Sequence, residues 1–153
     1  SGDGLQGKTY NFTTEQADFP ANTPSSLMKL QPDKSIAPLV RAYSEEWLQI
    51  DDQRFSHSVL VSSLPEHPPR TWAPRSLDEL AAEHLAQLAT SGAELVLLGT
   101  GQRLRFPPPA WLAPFAHHRV GLESMDTAAA CRTYNILASE GRKVLAALLL
   151  DPA

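Results

Sequence analysis

One cysteine, Cys131, is all the thiol chemistry in 153 residues. A lone thiol excludes an internal disulfide and every multi-thiolate zinc or iron–sulfur site, and it suits a reducing, cytoplasmic location. Positive charge is also short: 13 Lys and Arg stand against 17 Asp and Glu, a formal net charge of −4. Binding by counterion release needs a basic surface, so neither nucleic acid nor an anionic membrane is an expected partner. No apolar run approaches the roughly 18 to 20 residues that span a bilayer. The longest, Val144 to Leu150, is a strand length, and membrane insertion is not expected. The signatures H-E-x-x-H, G-x-S-x-G and the Walker loop are missing, so no cofactor or metal follows from the sequence. The first 35 residues hold three lysines, no arginine and the acids Asp3, Glu15, Asp18 and Asp33, which matches neither a transit peptide nor a secretory signal.

What is present is enough for one domain with a real core, at 42% hydrophobic and 20% charged residues. Residues 1–35 read as a flexible N-terminal arm, because Pro20, Pro24 and Pro32 break them and Leu5, Phe12 and Phe19 show no sustained period. Residues 36–153 read as a single α/β domain. Its front half carries short β-type runs at Leu39-Val40, Tyr43 to Ile50 and Phe55 to Val61. Asp51-Asp52 sits where a hairpin turns, so an antiparallel pair is expected. Pro65, Pro68, Pro69 and Pro74 then stiffen an extended connection, and Pro65-Glu66-His67-Pro68 within it is read as connector. Ser76 with Glu79 three residues on forms a capping box and predicts a helix over Leu77 to Thr90 that stops near Gly92. Leu77, Leu80, Ala81, His84, Leu85 and Leu88 share one face of it.

The back half alternates in the pattern of parallel strands joined by covered crossovers. A strand over Glu94 to Leu98 ends at Gly99-Thr100-Gly101. A proline-stiffened crossover follows through Phe106 to Pro109 and a helix-like Ala110 to His118. A second strand, Val120 to Met125, leads into a helix from Thr127 to about Glu140 that Gly141 stops. The final strand, Lys143 to Leu150, is apolar at almost every position, as a strand covered on both faces should be. On the helical wheel Ala130, Cys131, Tyr134, Leu137 and Ala138 share one arc, and Arg132, Asn135, Ser139 and Arg142 lie opposite.

Gly99-Thr100-Gly101-Gln102-Arg103-Leu104 starts like a dinucleotide fingerprint. Leu104 replaces its third glycine, and Phe106 to Pro109 occupies the place of the phosphate-binding helix. A milder site remains at the carboxyl ends of the strands. There Gly99, Thr100 and Gly101, with Arg103 or Arg105, Asp126, Thr127 and Arg132, would form a small anion nest in a cleft. Against it, Asp126 is placed to cap its helix, and its carboxylate repels an anion. Cys131 falls on the packed side of its helix beside Tyr134 and Ala138 and reads as a small core residue. His84, without a second ligand at metal spacing, reads as a satisfied or rim histidine. His117 and His118, being adjacent, diverge.

Two of these stretches, Gly99 to Gly101 and the string MDTAAACRTYNILASEGR from Met125 to Arg142, resemble a small family of domains of unknown function. That family includes a mitochondrial respiratory complex I assembly factor and an adipogenesis-associated Mth-domain protein. The resemblance covers roughly Tyr43 to Leu150. It implies a mixed, partly parallel sheet with helices packed on it and an N-terminal antiparallel hairpin, and it implies no reaction. The expectation is a non-catalytic interaction or assembly-assisting module with an unknown protein partner. The alternative is a protein, enzymatic or not, that binds a small anion or ligand in the strand-end cleft.

Overall fold

The computed structural model describes residues 9–11 and 37–151. Most of the stretch expected to be a flexible arm lies outside the described residues. Within it, β1 (Tyr10–Asn11) pairs antiparallel with β2 (Val40–Tyr43), Tyr10 opposite Tyr43 and Asn11 opposite Ala42. Strands β3 (Leu48–Ile50) and β4 (Gln53–Phe55) complete a four-stranded antiparallel sheet in the order β1-β2-β3-β4. The hairpin turns at Asp51-Asp52 as expected, with Asp51 in the left-handed region at φ 53°.

The third β-type run of the front half, Phe55 to Val61, is not one strand. Phe55 closes β4 in the first sheet, and β5 (Val59–Ser62) opens the second. Ser58 lies between them fully buried, its hydroxyl accepting the Leu150 N–H at 2.9 Å and its carbonyl accepting the Trp72 N–H at 2.8 Å. A chain passing from one sheet to the other must satisfy its polar groups at the crossing, and this serine is where that happens.

The second sheet has five strands in the order β6-β5-β9-β7-β8, with β6 at Arg70–Thr71, β7 at Leu95–Gly99, β8 at Gly121–Met125 and β9 at Val144–Leu148. Strands β9, β7 and β8 run parallel to one another, and β5 runs antiparallel to both of its neighbours, β9 and β6. This is the expected mixed, partly parallel α/β sheet.

Side chains of a central strand alternate between faces, and β9 with the two residues after it divides the core accordingly. Val144, Ala146, Leu148 and Leu150 enter one cluster with Val59, Val61, Leu97, the first sheet's Val40, Leu48 and Ile50, and the helix residues Ala130, Cys131 and Tyr134. Leu145, Ala147 and Leu149 enter the other with Leu60, Val96, Leu98, Trp72, Leu85, Leu88 and Phe115.

Among the described residues three α-helices cover the sheet: α1 (Ala82–Ala89), α2 (Ala113–His118) and α3 (Thr127–Ser139). The first is shorter than its capping signal predicts. Ser76 makes no side-chain cap bond, and Glu79 Oε1 accepts instead from the Arg75 N–H at 2.9 Å. Leu77–Glu79 is a 3-10 turn, after which Leu80 is extended and buried among the second cluster. Burying Leu80 overrides the local signal. The helix then restarts at Ala82, where His84 Nδ1 accepts the Ala81 N–H at 2.9 Å.

Helix α3 departs from its wheel at one position. Asn135, assigned there to the solvent side, is buried at 7% exposure. Its Oδ1 accepts the Val40 N–H at 2.9 Å, and its Nδ2 donates to the Val40 carbonyl at 2.8 Å. The Tyr134 hydroxyl donates to the Pro38 carbonyl at 2.6 Å. The helix thus lies between the two sheets and needs two packed faces.

Candidate functional site

At the carboxyl ends of β7 and β8 the chain makes two tight passages, and their polar groups are bonded mostly to one another. Gly99 lets the end of β7 approach α3: a Cβ there would lie 3.0 Å from Thr127 Cα and Oγ1 and 3.2 Å from Ala130 Cβ. The Thr100 N–H donates to Met125 O at 2.8 Å. Its hydroxyl donates to Arg103 O at 2.6 Å, lies 3.2 Å from Met125 O, and accepts the Arg105 N–H at 3.1 Å. Gly101, at φ +98°, donates its N–H to Thr127 Oγ1 at 2.8 Å and accepts the Thr127 N–H at 2.8 Å. The Thr127 hydroxyl, fully buried, donates to Leu149 O at 2.8 Å. Asp126 caps α3, its carboxylate accepting the Ala129 N–H at 2.8 Å.

Five of the seven residues singled out in the sequence, Gly99, Thr100, Gly101, Asp126 and Thr127, therefore form one knot. It ties β7, β8, α3 and the end of β9. Arg103 contributes its carbonyl to the knot and is exposed. Arg132 is exposed more than a turn along α3 and belongs to none of these bonds. The three backbone N–H groups that an anion nest would use, those of Thr100, Gly101 and Thr127, are given to Met125 O, Thr127 Oγ1 and Gly101 O.

Above the knot the Thr100 hydroxyl gathers Arg103 and Arg105, and Arg105 pairs with Asp78 at 2.9 Å. The side chains between and after them turn outward: Leu104 is 51% exposed and Phe106 is 69% exposed. Pro107 is buried, while Pro108 and Pro109 are exposed. Sequence reasoning treats Phe106 to Pro109 only as a stiff crossover. The signal that marks it as a presented surface is the alternation of Leu104 and Phe106 with arginines in a segment that prolines keep out of any sheet.

Cys131, Tyr134, His67 and His84 are held in structural roles, while His117 and His118 are exposed, their rings meeting edge-on. Burial pushes the Cys131 thiol far up, and the Arg132 charge opposes this only in part. Burial likewise raises the Tyr134 hydroxyl. The His67 Nε2–H donates to Ser91 O at 2.7 Å, and the His84 ring meets Trp72 edge-on. Among the described residues no three His, Cys, Asp or Glu side chains gather as a metal site.

The model of a family described as "protein of unknown function (DUF498/DUF598)" matches residues 40–149, a span that contains the whole knot and both sheets except β1. The chain belongs to this family. Among relatives of this DUF498/DUF598 chain, the 13 kDa major membrane protein of Francisella tularensis is 25% identical over 121 residues, 77% of this chain and 96% of that protein. The NADH dehydrogenase [ubiquinone] 1 alpha subcomplex assembly factor 3 of Bos taurus is 29% identical over 125 residues, 80% of this chain and 66% of that protein. A crystal structure of a Bordetella parapertussis protein superposes with a TM-score of 0.68 at 39% identity, covering 75% of this chain and 97% of that one. A solution structure from Bordetella pertussis, described as a Mth938-like domain, gives 0.64 at 34% identity over 74% and 86%. Among the described residues no helix is long and apolar enough to cross a membrane.

Proposed function

We propose that this chain is a non-catalytic interaction or assembly-assisting module that binds a protein partner through the surface above the strand-end knot. The observation that carries this reading is the division of labour there. The polar groups are spent on holding the loop, and the two large apolar side chains of that loop, Leu104 and Phe106, stand in solvent. Burying them on a partner removes apolar surface from water at about 25 cal/mol per Å². The assembly-factor names carried by relatives support the same class. The one buried thiol suits a reducing compartment, and we place the protein in the cytoplasm on that ground.

The alternative uses Gly99, Thr100, Gly101, Arg103, Asp126, Thr127 and Arg132 to hold a small anion. It would require breaking the hydrogen bonds that now occupy the site's N–H groups. Two measurements test the choice. Wild-type chain and a Leu104→Asp/Phe106→Asp variant are immobilised and exposed to native extract; proteins retained only by the wild type are expected, and identical sets would refute the assembly-assisting reading. In parallel, thermal shift is measured against phosphate, nucleotides and common cofactors. A saturable shift abolished by Thr100→Val or Arg132→Ala would move the reading to ligand binding.

A further inference from the structure

We infer that residues 106–108, which lead into the 3-10 turn Pro109–Leu112, are a preformed polyproline II ligand, and that the partner reads them with an aromatic-lined groove. This rests on the docking reading above and names the chemistry of the partner. Phe106, Pro107 and Pro108 each precede a proline, and a residue in that position is driven from helical to extended or polyproline II backbone. Pro108 adopts φ −55° and ψ 133°, within that region. A polyproline II segment has three residues per turn and is a three-sided prism in which residues i and i+3 share an edge.

The burial follows that prism. Pro107 is buried against the protein, while Phe106, Pro108 and Pro109 are exposed; Pro109 opens the 3-10 turn three residues after Phe106, so its ring starts on the Phe106 edge and Pro108 forms the third. Two outward edges are what a groove that reads proline-rich segments grips. The prolines carry no N–H, so docking strands no backbone donor there.

The segment is also held at both ends. The Thr100 hydroxyl and the Arg105–Asp78 pair fix its start, and the Trp111 N–H donating to Pro108 O at 3.0 Å fixes its end. The ordering entropy that a free peptide pays on binding is already met. Exposed Arg103 beside it would meet an acid on the groove's rim.

Other occupants fit less well. A membrane surface would be drawn by basic charge, but the chain carries −4 and Arg105 is already paired. A second copy of the chain would have to supply the groove. Arg54 covers the Trp47 ring at 3.8 Å, Trp72 is buried, and Trp111 is half-buried in the second core.

The test titrates the 15N-labelled full chain with three purified proline-reading modules, one WW, one SH3 and one EVH1 domain. Saturable shifts are expected with at least one of them, centred on the amides of Leu104, Arg105, Phe106, Ala110 and Trp111. Binding should weaken at least tenfold in both Phe106→Asp and Pro108→Ala, substitutions at exposed positions whose folding the same spectra verify. No shift with any module overturns the inference, as do shifts that map elsewhere. Loss in Phe106→Asp with full retention in Pro108→Ala also overturns it, while leaving the apolar docking surface standing. So would co-sedimentation with phosphatidylcholine/phosphatidylglycerol vesicles, or a concentration-dependent dimer, when either is abolished by Phe106→Asp and no module binds. Module binding that behaves as expected, beside identical extract captures by wild type and the double variant, would instead sink the assembly reading alone.

Discussion

Replacing Asn135 by leucine should be among the most damaging single substitutions that leave side-chain size nearly unchanged. The amide of Asn135 satisfies both backbone groups of Val40, at 2.9 and 2.8 Å, and Val40 is fully buried. Leucine removes both partners at once and leaves a buried N–H and a buried C=O without them, at a cost of about 1–3 kcal/mol each. Because Asn135 keeps a little exposure, some water reaches the gap, and a total of about 2–5 kcal/mol is expected. Urea unfolding followed by circular dichroism measures this directly. With m near 2 kcal/mol per molar for a domain of this size, the midpoint should fall by about 1–2.5 M with m unchanged. Amide exchange in β2 should accelerate beyond that in β9, because the lost bonds tie the first sheet to α3. Arg132→Ala, one turn away and exposed, is the control and should stay within about 0.5 kcal/mol. A loss in Asn135→Leu no larger than this control would refute the claim that the helix holds both sheets.

Gly99→Ala forces a Cβ to within 3.0 Å of Thr127 backbone and should cost about 1–3 kcal/mol of stability by overpacking, read in the same urea experiment. Thr100→Val removes the hydroxyl that gathers Arg103 and Arg105. It should cost about 1 kcal/mol and raise mobility from Arg103 to Phe106 in NMR relaxation, with β7 and β8 unaffected. Cys131 is neutral and buried, so its folded pKa lies above that of the unfolded thiol, about 8.5; above that pH the unfolded chain loses a proton that the folded chain keeps. Stability should therefore be whole below about pH 8.5 and fall as pH rises further, by up to about 1.4 kcal/mol per pH unit for this group. Cys131→Ala should remove the part of that slope below about pH 10, where Tyr134 begins to act in the same direction.

Local signals carry the back half of the chain. The Gly99-Thr100-Gly101 turn, the Asp126 cap and the unbroken apolar run of β9 each follow from nearest neighbours, and each stands where the sequence places it. Features that depend on a distant partner are not legible in this way. Phe55 to Val61 looks like one strand because nothing local reveals that Ser58 is buried against Trp72 and Leu150. Asn135 looks solvated because the wheel assumes one packed face, and the second is supplied by a strand 95 residues away. At the site, the residue types point to the strand ends, and five of the seven do converge. That their N–H groups are already spent depends on Met125 and Leu149, which carry no chemical signal of their own.

The position of β9 has a consequence for how the protein is made. Among the described residues it is the last of nine strands, and it lies in the middle of the five-stranded sheet, between β5, which precedes it by more than 80 residues, and β7. During synthesis β5 and β7 leave the ribosome with no strand to join them, their apolar faces open. Contacts of such wide separation form slowly because loop closure comes before any gain. The sheet can close only when Val144 to Leu148 emerge, so the nascent chain passes through a long interval in which a chaperone has exposed strands to hold, and a stop codon a few residues early would strand it there.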